Sequence, residues 1–413
     1  MLGPHDGRIL RRECGTAREM WRLFRRDHDP TFRAMSRSHN LLVLAAALLV
    51  ACGGSTPAAT PVPAPEPAPI HQTLPRPLPP PGAVARSVTV FFGTDRAPDG
   101  RETLRFGTTP GELTVGVAHV SVPLDRMTRP TGTLPDPPST LGVRRTPAPA
   151  RDLFVLRVQP MGEVYWDDAL REELRYDSTR TVVVFVHGFA TPWEQALRRA
   201  AQLAVDLPFD GAMVVYSWPS LGEVGPLAYF RDDKTIAPSQ PMLRRFLERI
   251  AERSGAERVS IVAHSMGTLL VARTLKELHD ARPELRFDQV VLGAPDIDTT
   301  SFRRSLAPAL TASARRVTIY ASQRDRALDL AQRASSYPRV GQAGPGLLVL
   351  PGLDVIDASA AEEGEFGHGY LGASNAVLAD LRAVLAGVPV AARRLERRQR
   401  AGLAYWELLG EAR

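Results

Sequence analysis

The run Thr181–Val186, TVVVFV, constrains the fold more than any other stretch of this chain. Six consecutive apolar or β-branched residues leave no polar face, so a strand made from them must be covered on both sides. That is the position of a strand inside a parallel sheet flanked by helices. The sequence after it repeats the theme. Helix-period segments at Trp193–Asp206, Pro241–Arg253, Met266–Leu278 and Ala373–Leu385 alternate with strand-like runs at Ala212–Tyr216, Val259–Ala263, Gln289–Leu292, Arg316–Ala321 and Gly346–Gly352. This alternation predicts an α/β fold with a mostly parallel, doubly wound sheet. Upstream, Ser87–Thr94, Leu113–Val122 and Leu153–Val158 read as strands, so the sheet carries a strand-rich N-terminal extension.

Ahead of that domain the composition changes. Eleven prolines fall between Pro57 and Pro81, a density that favours extended polyproline II and builds no core, so residues 52–86 read as a linker. The linker is preceded by Leu41–Ala51, eleven uncharged apolar residues, too short to span a bilayer as a helix and the length of a signal-peptide core. The run ends LVAC at Cys52 and continues Gly53-Gly54-Ser55, which resembles a bacterial lipoprotein signal with Cys52 as the lipidated residue. That resemblance implies a signal over 35–51, a membrane partner through Cys52, and a place in the bacterial cell envelope, on the periplasmic side of the outer membrane. Residues 1–34 carry eight arginines before a better start at Met35 and read as a misassigned start or leader.

Net charge follows from this division. The whole chain is +6, but residues 1–51 hold nine arginines against five acidic side chains, leaving 42 basic against 40 acidic groups in the remainder. A balance of +2 gives no basis for nucleic-acid binding. With only Cys14 and Cys52 present, neither a structural disulfide nor a cysteine-based zinc site is expected once the leader is lost and Cys52 is lipidated. No metal or organic cofactor is expected. The C-terminal segment 389–413 has five arginines between Arg393 and Arg400 and reads as a basic tail, either a solvated helix or frayed.

In an open parallel sheet, ligands bind at the carboxyl ends of the strands, so the residues just after each strand are the candidates for chemistry. After Val259–Ala263 comes AHSMG, with Ser265 between a strand and a helix and flanked by the small residues Ala263 and Gly267. A serine on such a strand-to-helix turn is either a helix cap or an exposed nucleophile. As a nucleophile it needs a base and a group that orients the base. The last histidine of the chain, His368, lies in a glycine-rich loop and is the candidate base. Asp325, after Arg316–Ala321, is the preferred acid. Asp296, in GAPDID with Asp298, is the alternative one strand earlier. The Met266 amide, and the Phe189 amide in VFVHGF, are placed to form an oxyanion hole. His264 is expected to be a packing neighbour whose side chain points away from that of Ser265.

With VTVFFGTDR, FVHGF, YSWPS, AHSMG, GAPDID, ASQRDRAL and GHGYL in this order, the segment Val88–Leu385 resembles the alpha/beta-hydrolase superfamily, and within it an esterase/lipase-like bacterial branch. The resemblance implies a serine hydrolase acting on a small-molecule or lipid ester, over a domain placed at 87–388. An acyltransferase or thioesterase would use the same residues, and an envelope-binding lipoprotein with a silent hydrolase fold is the alternative from another class. Asp95 and Arg96 read as a structural ion pair or a pocket element, and the loop Ser217–Gln240 as a lid, an acyl pocket or a packed surface loop.

Overall fold

The computed structural model describes residues 82–100, 106–125, 139–140, 143–144, 147–207, 209–361 and 367–410. The leader, the signal segment, Cys52 and the linker up to residue 81 lie outside the described residues. β1 (Ala85–Pro98), β2 (Phe106–Pro123), β3 (Phe154–Met161), β4 (Thr181–Val186), β5 (Ala212–Ser217), β6 (Arg258–His264), β7 (Phe287–Gly293), β8 (Ala314–Ala321), β9 (Leu353–Asp357), β10 (Leu395–Arg400) and β11 (Leu403–Leu408) form one sheet of eleven strands among the described residues, in the order β10-β11-β9-β8-β7-β6-β4-β5-β1-β2-β3. Neighbours from β11 to β1 pair in parallel. At one edge β2 and β3 add antiparallel strands, and at the other β10 does. The chain is an α/β protein with a mostly parallel sheet, as its sequence pattern predicts.

All six residues of β4 are buried, as a strand without a polar face requires. Helices α1 (Glu163–Glu173), α3 (Pro226–Arg253) and α4 (Met266–Ala281) pack on one face, through Trp166, Phe246 and Leu270 among others. On the opposite face lie α2 (Trp193–Asp206), α5 (Arg326–Ser335) and α6 (Asn375–Leu385), through Leu197, Leu328 and Leu381. The alternation of strand and helix thus puts the ends of β4, β5, β6, β7 and β8 along one edge of the sheet, where the candidate residues gather.

Three expectations are corrected. The run Gly346–Gly352 is not a strand. Leu347 and Leu348 are buried against the core, but the strand begins afterwards at Leu353, beyond Pro351, which lacks a backbone donor, and Gly352, which turns with φ 80°. A short apolar run reports burial, not pairing. Second, the basic segment after residue 388 is neither a helix nor a frayed tail over the described residues. β10 and β11 form a hairpin joined by Ala401 (φ 49°) and Gly402 (φ 81°), a two-residue turn of the type that matches strand twist. Trp406 and Leu408 alternate with less buried neighbours and fasten the hairpin to β9. Third, residues 226–240 are helical: α3 runs through Pro238 and Pro241 without a break. Pro241 carries the signature of a first helical turn, but tertiary bonds hold the preceding turns, with Asp232, Ile236 and Ser239 all buried.

Candidate active site

Ser265 follows the last residue of β6 and precedes the first of α4, with φ 52° and ψ −128°. A left-handed φ at a residue with a Cβ costs about 1–3 kcal/mol and persists only where the surroundings enforce it. Here the Ser265 N–H donates to Gly293 O at 2.9 Å, and its carbonyl accepts from the Thr268 N–H at 3.0 Å and the Thr268 hydroxyl at 2.6 Å. The turn is also packed from the side. A Cβ on Gly267 would lie 2.2 Å from His187 O, and one on Gly188 would lie 2.7 Å from the Ser265 Cβ, so the end of β4 and this turn approach as closely as glycine permits. Ser265 holds the N-cap position of α4, yet its hydroxyl caps nothing there.

The hydroxyl is bonded to His368 instead, with Oγ 2.8 Å from Nε2. The other ring nitrogen, Nδ1, lies 2.7 Å from Asp325 Oδ2. Asp325 itself is fixed at the start of α5, where Oδ1 accepts the Leu328 N–H at 3.0 Å. One carboxylate oxygen therefore caps a helix while the other holds the imidazole. The side chain of Asp325 is 0% exposed and that of His368 21%, while Ser265 is buried.

Asp296 is engaged elsewhere. Its Oδ1 lies 2.8 Å from Arg339 Nη1 and its Oδ2 accepts the Tyr229 hydroxyl at 2.8 Å, and burial raises its pKa. Asp298 accepts the Ser301 N–H. His264 donates its Nε2 proton to the backbone carbonyl of His368 at 2.9 Å, and so braces the histidine loop. Burial drops its pKa to about 3, which keeps the ring neutral. Chain order alone does not single out His368, because His279 also follows Ser265. That residue sits in the last turn of α4, roughly 20 Å along the helix from the serine.

The Met266 N–H, at the first position of α4, has no acceptor within its own helix. Phe189 lies in the turn after β4, where Ala190 also takes a left-handed φ of 53°. Around that turn the sequence reading missed how several residues connect. His187 stacks on Trp218 with ring centroids 5.1 Å apart, and Trp218 Nε1 donates to His187 O at 2.8 Å. Asp232 of α3 accepts from the Ala190 and Leu221 N–H groups and from the Ser220 hydroxyl. Their signal lay in YSWPS and in one aspartate of α3, and nothing local tied either to the HGF turn.

Asp95 and Arg96 serve different partners. Asp95, its pKa raised by burial, accepts from the Tyr216 and Ser239 hydroxyls. Arg96, lowered by burial to about 10 and so still charged at neutral pH, reaches the loops after β4 and β5.

His187 makes a pH-dependent contribution to stability. Burial, and then the Arg96 charge, push its pKa to about 3, whereas the unfolded chain takes up this proton near 6.5. The stabilisation associated with the neutral ring is complete above about pH 6.5 and declines toward pH 3, by about 1.4 kcal/mol per unit. Urea denaturation of the wild type and His187→Gln is thus expected to show a stability difference that narrows by about 2.3 kcal/mol between pH 6.5 and 4.5. A difference constant over that range would contradict the neutral, buried state.

The first turns of α3 border the site. Tyr229 packs edge-on to Phe189 at 5.6 Å and reaches Asp296, while Val224 and Leu227 are exposed. A cavity of about 190 Å³ is lined by the Gly188–Thr191 turn together with Phe185, Leu203 and Leu371. Its lining also includes His264 and Gly369, the chain neighbours of Ser265 and His368.

None of the curated proteins compared matches the chain. Among solved structures it is similar to DphMB1 (20% identity, 51% of this chain and 78% of that one, TM-score 0.31). It is also similar to the metagenomic carboxyl esterase MGS0156 (13% identity, 51% and 76%, TM-score 0.28) and to the Pyrococcus furiosus esterase Pf2001 (16% identity, 44% and 74%, TM-score 0.24). A family model described as "Alpha/beta hydrolase of unknown function (DUF900)" matches residues 165–386, which begin in α1 and end just after α6. That match covers more than half of the chain, and the protein therefore belongs to this family of alpha/beta hydrolases.

Proposed function

We propose that the protein is a serine hydrolase that cleaves carboxylic esters through an acyl-enzyme. The observation that carries this reading is the continuous hydrogen-bonded series from Asp325 through His368 to a serine held at φ 52°. A serine hydroxyl is a weak nucleophile near neutral pH and needs a base within hydrogen-bond reach. His368 Nε2 accepts the Ser265 proton as Oγ bonds to the acyl carbon. Asp325 holds the opposite nitrogen in its protonated form and stabilises the imidazolium. The amides of Met266 and Phe189 would receive the charge that develops on the carbonyl oxygen. His368 then passes its proton to the leaving alkoxide. Water deprotonated by the same nitrogen attacks the acyl-serine, the acid departs, and Ser265 recovers its proton.

We also read Cys52 as a lipid anchor, which would hold the domain at the bacterial envelope and give it esters at or near a membrane as substrates. This part rests on LVAC and the proline-rich linker alone. The experiment that tests the chemistry is labelling with a fluorophosphonate probe. Wild-type protein is expected to be modified at Ser265 and Ser265→Ala to remain unlabelled, whereas folded wild-type protein that resists the probe would sink the reading.

A further inference from the structure

The turn that carries the Phe189 amide is held by a residue from outside the segment matched by the family. Arg96 lies at the end of β1, in the strand pair that precedes residue 165. Its guanidinium is buried and makes four bonds: Nε to the Ser217 hydroxyl at 2.9 Å, Nη1 to Gly107 O and Ser220 O, each at 2.9 Å, and Nη2 to Thr191 O at 2.9 Å.

The direction of each proton follows from what these groups are able to do. Arginine only donates, so the Ser217 oxygen accepts from Nε and turns its own hydrogen elsewhere. The available acceptor is His187 Nε2, 3.1 Å away. A neutral imidazole that accepts at Nε2 carries its proton on Nδ1, and Nδ1 lies 2.9 Å from Gly188 O. The series thus runs from Arg96 through Ser217 and His187 to the Gly188 carbonyl. That carbonyl and the Phe189 N–H belong to one planar trans peptide, in which the two dipoles point in opposite directions. Fixing the carbonyl toward the His187 ring therefore fixes the N–H away from it.

The next two residues are gripped as well. Ala190, with its left-handed φ, donates its N–H to Asp232 at 3.2 Å, and directly after it Thr191 N–H donates to the Ser220 hydroxyl at 3.0 Å while Thr191 O accepts from Arg96. A strained turn of this kind needs such support to stay in one conformation.

We propose that Arg96 is a positioning residue for the oxyanion-binding turn: through Ser217 and His187 it sets the orientation of the Gly188–Phe189 peptide, and through Thr191 and Ser220 it holds the turn that follows. The role rests on the serine hydrolase reading, since it is the transition-state oxygen that the oriented N–H receives. A misaimed donor weakens transition-state binding more than substrate binding, so the loss falls on kcat and not on KM.

The test compares wild type, Arg96→Lys and Ser217→Ala in the full chain with p-nitrophenyl acetate. Removing an oxyanion donor outright lowers kcat by about 100- to 1,000-fold. Misorienting it should cost roughly 10- to 100-fold in both variants, with KM within about 3-fold of wild type. Ser217→Ala buries no new polar group and keeps the guanidinium, so it reads the relay even if Arg96→Lys fails to fold. A folded Ser217→Ala protein with wild-type kcat, or one whose KM rises in step with the loss of rate, overturns the proposal. Nitrogen-15 spectra of the His187 ring give a readout independent of turnover. The Nδ1–H tautomer is expected in wild type and a mixture in Ser217→Ala, and an Nε2–H tautomer in wild type refutes the relay. Wild-type protein that neither turns over the ester nor takes up a fluorophosphonate removes the hydrolase reading and this role with it. Wild-type activity with unaffected variants removes the role alone.

Discussion

Ser265→Ala and His368→Ala are each expected to lower kcat for p-nitrophenyl acetate by about 10⁶-fold, and the double variant to lose no more than either single one. In the proposed mechanism the serine supplies the atom that bonds to the acyl carbon, and the histidine is the base that lies 2.8 Å from Oγ. The two act as one unit, so removal of either leaves only the contribution of the oxyanion donors and of binding. The Ser265 side chain makes no capping bond to α4, so its removal leaves the turn and the helix intact. Thermal unfolding of Ser265→Ala is accordingly expected within a few degrees of wild type. A Ser265→Ala protein that keeps a tenth of wild-type turnover, assayed with freshly purified protein to exclude a contaminant, would falsify the assignment of the nucleophile.

The second large effect separates the two carboxylates. Asp325→Asn is expected to reduce kcat by about 10⁴-fold, because an amide no longer enforces the tautomer in which Nε2 is free to accept the serine proton. The variant should also show a modest loss of stability, since Asn keeps an oxygen for the Leu328 N–H that caps α5. Asp296→Asn should do the reverse. Its partners are the buried Arg339 guanidinium and the Tyr229 hydroxyl, not the imidazole. Taking away the carboxylate charge leaves Arg339 buried without a counter-charge, a change that costs about 3–5 kcal/mol where a buried pair is broken. Kinetics and urea denaturation of the two variants side by side give a crossed pattern. If Asp296→Asn proves the slower enzyme and Asp325→Asn the less stable protein, the roles are exchanged.

How far the site was legible depended on how local each signal was. Ser265 stood out because a strand, two small neighbours and a helix follow one another within about twenty residues, and period and residue size are local properties. The acid was not legible in the same way. Both Asp296 and Asp325 follow a parallel strand, and what divides them is the company they keep: Arg339 comes from a loop more than forty residues after Asp296, and no spacing rule connects the two. Arg96 reads in the sequence as half of an ion pair with Asp95 or a pocket element, and its actual partners are hidden for the same reason, since Thr191, Ser217 and Ser220 are about 95 to 124 residues away. The errors had local causes too. Pro241 imitates a helix start, the arginines between 393 and 400 mask the alternation of a strand, and Gly346–Gly352 has the composition of a strand but the role of core filler.

By itself the sequence determined the α/β class, the burial of β4 and the strand-to-helix turn at Ser265, because apolar periodicity and the need to cover an apolar strand are set by neighbours along the chain. Tertiary structure alone decided that the Ser265 hydroxyl faces His368 and caps nothing, that Asp325 holds the imidazole while Asp296 holds Arg339, and that the N-terminal strands brace the HGF turn. Hydrogen bonds select partners by distance and direction in space, and only the folded sheet brings residues from different strand ends within hydrogen-bond reach.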